Sequence, residues 1–144
     1  MPDLEPESES PDHGTIRLVI VDDHPLFREA TVAALRSDPQ IAVLGQGSSA
    51  TDALEMAVRL QPDLLLLDVA MPGGGLNAAR NIAESQPEIK LVMLTFSEEE
   101  DDVRKALGLG IRGYVLKGIS GSDLRRIVRA VANGETYLAP TLAQ

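Results

Sequence analysis

The chain has no cysteine, so neither a disulfide nor a thiolate metal site is open to it. No apolar run approaches the roughly 18 residues that span a bilayer. The start, Met1-Pro2-Asp3-Leu4-Glu5, lacks the basic and apolar regions of a signal peptide. Positive charge is scarce: 13 Lys and Arg stand against 22 Asp and Glu, for a net charge of −9. Such a chain is a poor candidate to bind nucleic acid by itself, since that binding rests on neutralising phosphates. Arg125, Arg126 and Arg129 form only one short basic stripe. These absences fit a cytoplasmic protein with no membrane role.

What is present is an ordinary globular composition, 44% hydrophobic and 24% charged over 144 residues, enough for one domain with its own core. Residues 1–14 are the exception. They are rich in Pro, Ser, Glu and Asp, and read as a disordered acidic tail ahead of a domain over 15–144. The domain is organised around Leu64-Leu65-Leu66-Leu67-Asp68. Four consecutive leucines have no polar side, which marks a short strand buried on both faces of a sheet. Asp68 then stands where that strand meets solvent.

Similar apolar runs predict strands at Ile16 to Val21, Ile41 to Gly45, Ile89 to Thr95 and Arg112 to Lys117. Helical spacing fills the intervals. Pro25 opens a helix to about Ser37 with Phe27, Thr31, Ala34 and Leu35 on one face. Ser49 caps a helix burying Ala50, Ala53, Leu54, Ala57 and Val58. Leu76, Ala79, Ile82 and Ala83 mark a third. The acidic run Glu98 to Asp102 opens a fourth, with Val103, Ala106 and Leu107 inward and Gly108 and Gly110 at its end. Ser122 or Asp123 opens a fifth, with Leu124, Ile127, Val128 and Val131 inward and Gly134 just beyond it. Five strands alternating with five helices imply right-handed crossovers and a parallel sheet covered on both faces.

In such a sheet all carboxyl ends of the strands share one edge, where ligands bind. Four of these ends carry reactive groups: Asp22 and Asp23, Asp68, Thr95 and Lys117. Each alone has a plain structural explanation, as a cap, a β-branched strand residue or a surface lysine. Together they make an acidic cleft with a cation and a hydroxyl beside it. Clustered carboxylates repel unless a cation joins them. Oxygen ligands favour Mg²⁺ or Mn²⁺, and the set suits phosphoryl transfer onto a carboxylate. His24 is read as the residue preceding a helix, not as a transition-metal ligand. Gly108-x-Gly110-x-x-Gly113 follows a helix and enters a strand, the reverse of the dinucleotide-binding context.

Val19-Ile20-Val21-Asp22-Asp23-His24-Pro25, Leu66-Leu67-Asp68-Val69-Ala70-Met71-Pro72-Gly73, Leu94-Thr95 and Gly113-Tyr114-Val115-Leu116-Lys117-Gly118 resemble the receiver (CheY-like) domain of two-component response regulators. The Asp-Asp-His-Pro-Leu-Phe-Arg-Glu run and the Leu-Lys-Gly ending most resemble the NarL/FixJ (LuxR-type) subfamily, over about residues 16–142. The resemblance implies a flavodoxin-like (βα)5 three-layer sandwich with strand order 2-1-3-4-5. It implies Asp68 as phosphoacceptor from a sensor histidine kinase. Mg²⁺ (or Mn²⁺) would be held by Asp23, Asp68 and the Ala70 carbonyl, with Asp22 acting through water. Lys117 and Thr95 would contact the phosphoryl group, and Thr95 and Tyr114 would form the switch pair. It also implies a phosphorylation-dependent homodimer and no catalysis beyond the domain's own phosphorylation and dephosphorylation.

Three departures qualify the match. Met71-Pro72-Gly73-Gly74-Gly75-Leu76 is one residue shorter than the family's usual loop and richer in glycine, so a mobile loop is expected. Gly118 follows Lys117 where many receivers have proline, as is common in this subfamily. The sequence ends at Gln144, whereas the subfamily continues into a helix-turn-helix DNA-binding domain. The expectation is a receiver from a longer transcription regulator, with a stand-alone receiver as the alternative. A Mg²⁺-dependent phosphohydrolase that forms an aspartyl phosphate is a weaker reading, because that class wants an acid two residues after the nucleophile and Ala70 stands there. A flavodoxin-like cofactor binder lacks a phosphate-cradling loop after the first strand.

Overall fold

The structure, a computed structural model, describes residues 14–96 and 100–139, without the side chains of 100–103. The acidic tail up to residue 13, Glu98, Glu99 and the last five residues lie outside the described residues. Strands and helices alternate: β1 (Ile16–Val21), α1 (Pro25–Arg36), β2 (Ile41–Gly47), α2 (Ala50–Leu60), β3 (Leu64–Asp68), α3 (Gly75–Ser85), β4 (Lys90–Thr95), α4 (Glu100–Gly108), β5 (Gly113–Leu116), α5 (Gly121–Ala132) and β6 (Tyr137–Leu138). They form one parallel sheet of order β2-β1-β3-β4-β5-β6.

The expected fold class and strand order hold, with one addition at the edge. β6 continues the sheet beyond β5, pairing Tyr137 with Gly113 and Leu138 with Tyr114. Two half-buried residues carry no periodic signal, so this strand depends on the edge that β5 offers.

The four leucines of β3 explain the layers. Leu65 and Leu67 join Val19, Val21 and Met93 in a core under α2 and α3. Leu64 and Leu66 join Leu18, Ile20, Val92 and Leu94 in a second core under α1 and α5. Side chains alternate along a strand, so only a run apolar at every position feeds both layers. All four are fully buried, and each such burial contributes about 1.5–3 kcal/mol before entropy is counted. Asp68 ends this strand because the same alternation carries the chain out of the core at the pocket edge.

Local signals were mostly sound. The Ser49 side chain accepts a hydrogen bond from the Asp52 amide. Leu124, Ile127, Val128 and Val131 are all buried on α5. Gly134 takes a φ of +99°, as a residue just past a helix end should.

Four expectations are corrected. Val58 and Leu107 are exposed rather than inward, because Met56 fills the inner row of α2 and Ala106 that of α4. The cap of α5 is Ser120, whose hydroxyl accepts from the Asp123 amide, so the helix starts at Gly121, before either predicted opener. β2 runs on to Gly47, because β1 pairs with it through Val21. The loop after Asp68 is tied down: Gly74 N donates to Met71 O, Gly75 N to Val69 O, and Ala50 N to Pro72 O. Its glycines answer geometric need. Gly73 adopts a φ of +88°, and a Cβ at Gly75 would overlap the Asp68 carbonyl.

Candidate functional site

The ends of β1, β3, β4 and β5 bring Asp22, Asp23, Asp68, Thr95 and Lys117 to one edge of the sheet. Asp22 N donates to Gly47 O at 2.9 Å, and Arg28 Nη1 donates to the Asp22 carbonyl at 2.7 Å, so its backbone is fixed from both sides. Asp68 is held by its strand pairing with Leu94 and by Val69 N, which donates to Leu94 O at 2.9 Å. Lys117 N donates to Thr95 O at 2.8 Å, tying the two strand ends that carry the cation and the hydroxyl.

The side chains form an ionic cluster. Lys117 Nζ lies 2.7 Å from Asp22 Oδ2 and 3.2 Å from Asp68 Oδ1. Asp68 Oδ1 also accepts from the Ala70 amide at 3.1 Å. The side chains of Lys117 and Asp22 are fully buried and that of Asp68 nearly so, while Asp23 is one-third exposed. Thr95 is buried at the end of β4. Tyr114 is buried with Met93, Ala106 and Ile111, within the core rather than at its rim.

Burial, and then the Asp22 carboxylate, push Asp68 up to about 6, against the pull of Lys117 and the Ala70 amide. Asp22 goes the other way. Burial opposes its ionisation too, but Lys117 and the His24 backbone amide outweigh it, and its carboxyl lies below the usual value. Neighbouring acids pushed apart in this way, at the ligand-binding edge of a parallel sheet, make this pocket the candidate functional site.

Ligand atoms of Asp22, Asp23, His24 and Asp68 all lie within 4.8 Å of one another, a set able to hold a metal ion. Asp68 Oδ2 and Asp23 Oδ1 are buried without a hydrogen-bond donor, which is what open coordination positions look like.

Sequence reasoning missed three residues here. His24 does precede α1, as its N-cap. Yet its Nδ1 also stands 3.0 Å from Asp22 Oδ1, 3.2 Å from Asp23 Oδ1 and 3.5 Å from Asp68 Oδ2. Phe27 and Phe96 flank Lys117, with ring centroids 4.8 and 5.0 Å from Nζ. Their positions in the chain held the signal. Phe96 directly follows Thr95 at a strand end, and Phe27 sits on the first turn after the acidic pair.

A parallel α/β sandwich with a lysine-bridged carboxylate pocket at the switch point of its sheet defines the class as a flavodoxin-like α/β domain. The family model of the response regulator receiver domain matches residues 18–129. The chain therefore belongs to the response regulator receiver family. The response regulator GacA of Pseudomonas aeruginosa is 38% identical over 130 residues, 90% of this chain and 61% of GacA. The response regulator VraR of Staphylococcus epidermidis is 38% identical over 126 residues, 87% of this chain and 60% of VraR. The chain thus spans about six-tenths of the length of these relatives. Among solved structures, a LuxR-family two-component response regulator from Aurantimonas sp. SI85-9A1 superposes with a TM-score of 0.85 at 29% identity, covering 91% of this chain and 94% of that one. The likeness to LuxR-type regulators agrees with the subfamily resemblance of the sequence. Among the described residues no helix is long and apolar enough to cross a membrane.

Proposed function

We propose that this domain is a phosphorylation-controlled switch that accepts a phosphoryl group on Asp68 from a sensor histidine kinase. The observation that carries the reading is the paired environment of Asp68 and Lys117. One carboxylate is raised toward neutrality by burial and by Asp22, and a buried ammonium stands 3.2 Å from its Oδ1. Such a carboxylate gains a new bond at little desolvation cost, since its water has already been removed.

In the transfer an Asp68 oxygen attacks phosphorus in line, the phosphorus–nitrogen bond to the donor histidine breaks, and the leaving imidazole takes up a proton. Lys117 offsets charge on the arriving oxygens, and Thr95 donates to one of them. Asp23, Asp68 and the Ala70 carbonyl would hold Mg²⁺ (or Mn²⁺), with Asp22 acting through water. The bound ion would supply charge neutralisation for the phosphoryl oxygens.

Phosphorylation adds roughly −1.5 to −2 charges. The response begins at Thr95 and passes to Tyr114 on the adjoining strand, which alters the surface around α4 and β5. Output follows through a phosphorylation-dependent homodimer and, by the LuxR-type likeness, through transcription controlled by a helix-turn-helix domain of the longer protein. The domain works in the cytoplasm, binds no DNA alone and turns over no substrate other than its own phosphate.

Intact mass after incubation with acetyl phosphate and Mg²⁺ tests the reading. One added phosphoryl group that depends on Mg²⁺ is expected; no gain at any Mg²⁺ concentration would overturn it.

A further inference from the structure

His24 brings the one imidazole ring among the described residues into this pocket of charges. Its backbone is fixed as the N-cap of α1, and its side chain is about half exposed. Lys117 Nζ approaches Nδ1 to 3.1 Å. An ammonium offers only protons, so Nδ1 is the lone-pair nitrogen and the ring proton is on Nε2. Nδ1 also stands 3.0 Å from Asp22 Oδ1, 3.2 Å from Asp23 Oδ1 and 3.5 Å from Asp68 Oδ2.

These separations have a use. Donor atoms about 2.1 Å from an octahedral ion stand about 3.0 Å apart on adjacent corners and about 4.2 Å apart across it. Nδ1 stands at about the adjacent-corner distance from Asp22 Oδ1 and Asp23 Oδ1, and a ligand atom of each of the four residues lies within 4.8 Å of the others. Lys117 touches one of the four atoms, Nδ1, and otherwise holds Asp22 Oδ2 and Asp68 Oδ1, so a cation that draws on Nδ1 displaces one ammonium contact and leaves the other two in place. Asp68 Oδ2, on a side chain 2% exposed, has no hydrogen-bond donor at all. Carboxylate oxygens gathered around one ring nitrogen repel one another, and a cation among them offsets that repulsion.

We propose that His24 Nδ1 is a metal ligand beside Asp23 and Asp68, with Asp22 acting through water, and that it makes this site prefer first-row transition ions such as Co²⁺ over Mg²⁺. This rests on the divalent site proposed above. An imidazole nitrogen adds little for Mg²⁺, which prefers oxygen and keeps its waters. It adds more for Mn²⁺, Co²⁺ and Ni²⁺, in the order their nitrogen affinity rises. His24 is therefore a residue that sets which ion the switch carries.

The test uses the whole chain with His13→Gln, which leaves His24 as its single imidazole. Pulsed electron paramagnetic resonance on bound Mn²⁺ should show the nitrogen modulation of a directly ligated imidazole, and His24→Gln in that background should abolish it. In calorimetric titrations His24→Gln should weaken Co²⁺ by at least about tenfold and Mg²⁺ by less than about twofold. Absence of the nitrogen signal overturns the proposal, as does an equal effect on both ions. Mg²⁺ binding that persists in either case leaves the phosphorylation reading standing. Failure of His13→Gln to bind any divalent ion would overturn both.

Discussion

Lys117 Nζ lies closer to Asp22 Oδ2, at 2.7 Å, than to Asp68 Oδ1, at 3.2 Å. The ammonium is thus anchored on the carboxylate that stays ionised and only shared with the one that is to react. Asp22 holds it in place, and Asp68 keeps enough freedom to change partners. If Asp68 takes up a phosphoryl group as proposed, Lys117 would be placed to reach the new oxygens while still held by Asp22.

Removing the ammonium leaves two buried carboxylates facing each other. Breaking a buried pair on one side costs about 3–5 kcal/mol, less whatever the acids recover by taking up a proton. Lys117→Met should therefore unfold at lower urea than wild type at pH 7.5, and the deficit should shrink as pH falls. A deficit independent of pH would show that lost packing, not charge, is responsible.

Asp68 predicts the opposite sign. Its native pKa, about 6, exceeds that of an unfolded chain, so the native state binds this proton more tightly. Stability associated with it is present at low pH and is lost as pH rises through about 4 to 6. Asp68→Asn keeps the shape and removes the ionisation. With a chelator present, the variant should be more stable than wild type by about 1–3 kcal/mol above pH 6.5, and the gain should vanish near pH 4. Denaturant melts across that range would contradict this if the variant were less stable throughout.

Much of this arrangement was legible before any coordinates. Strand ends are readable because hydrophobic runs stop abruptly, and four of those stops carried Asp22, Asp23, Asp68, Thr95 and Lys117. A parallel sheet then forces them together. The positions of His24, Phe27 and Phe96 were not legible in that way. Their rings reach the pocket through helix-entry and loop geometry, which hydrophobic spacing does not encode. Val58 and Leu107 were misplaced because an apolar stripe fixes a helix face only to within about one residue. Composition alone makes the Gly73 to Gly75 loop look mobile. Its glycines instead accommodate a positive φ and a close approach to the Asp68 backbone.

That approach makes Gly75 a support for the acceptor. A methyl group there meets the Asp68 carbonyl and Val69 Cα, both backbone, so no side chain is able to yield. Gly75→Ala should cost at least about 2 kcal/mol in a chemical melt. It should also slow phosphorylation by acetyl phosphate more than Gly118→Ala, where an added Cβ meets nothing within 4 Å.

Thr95 should separate acceptance from response. Thr95→Ala removes a donor to the phosphoryl group but no part of the acceptor, so it should still gain phosphate yet shift its two-state equilibrium poorly. Amide exchange from Thr95 to Tyr114, with and without beryllofluoride as a phosphoryl mimic, reads this out. Wild type should change protection there on adding the mimic, and Thr95→Ala should change much less. Equal change in both proteins would remove Thr95 from the switch.

The central claim is that Asp68 is the phosphoacceptor, and borohydride trapping tests it most directly. Borohydride reduces an aspartyl phosphate to homoserine and so marks the acceptor covalently. After phosphorylation by acetyl phosphate with Mg²⁺ and reduction, peptide mass analysis should find homoserine at position 68 alone, and none at all in Asp68→Asn. Homoserine at Asp22 or Asp23 in the wild type, or a phosphoryl gain undiminished in Asp68→Asn, would contradict the account.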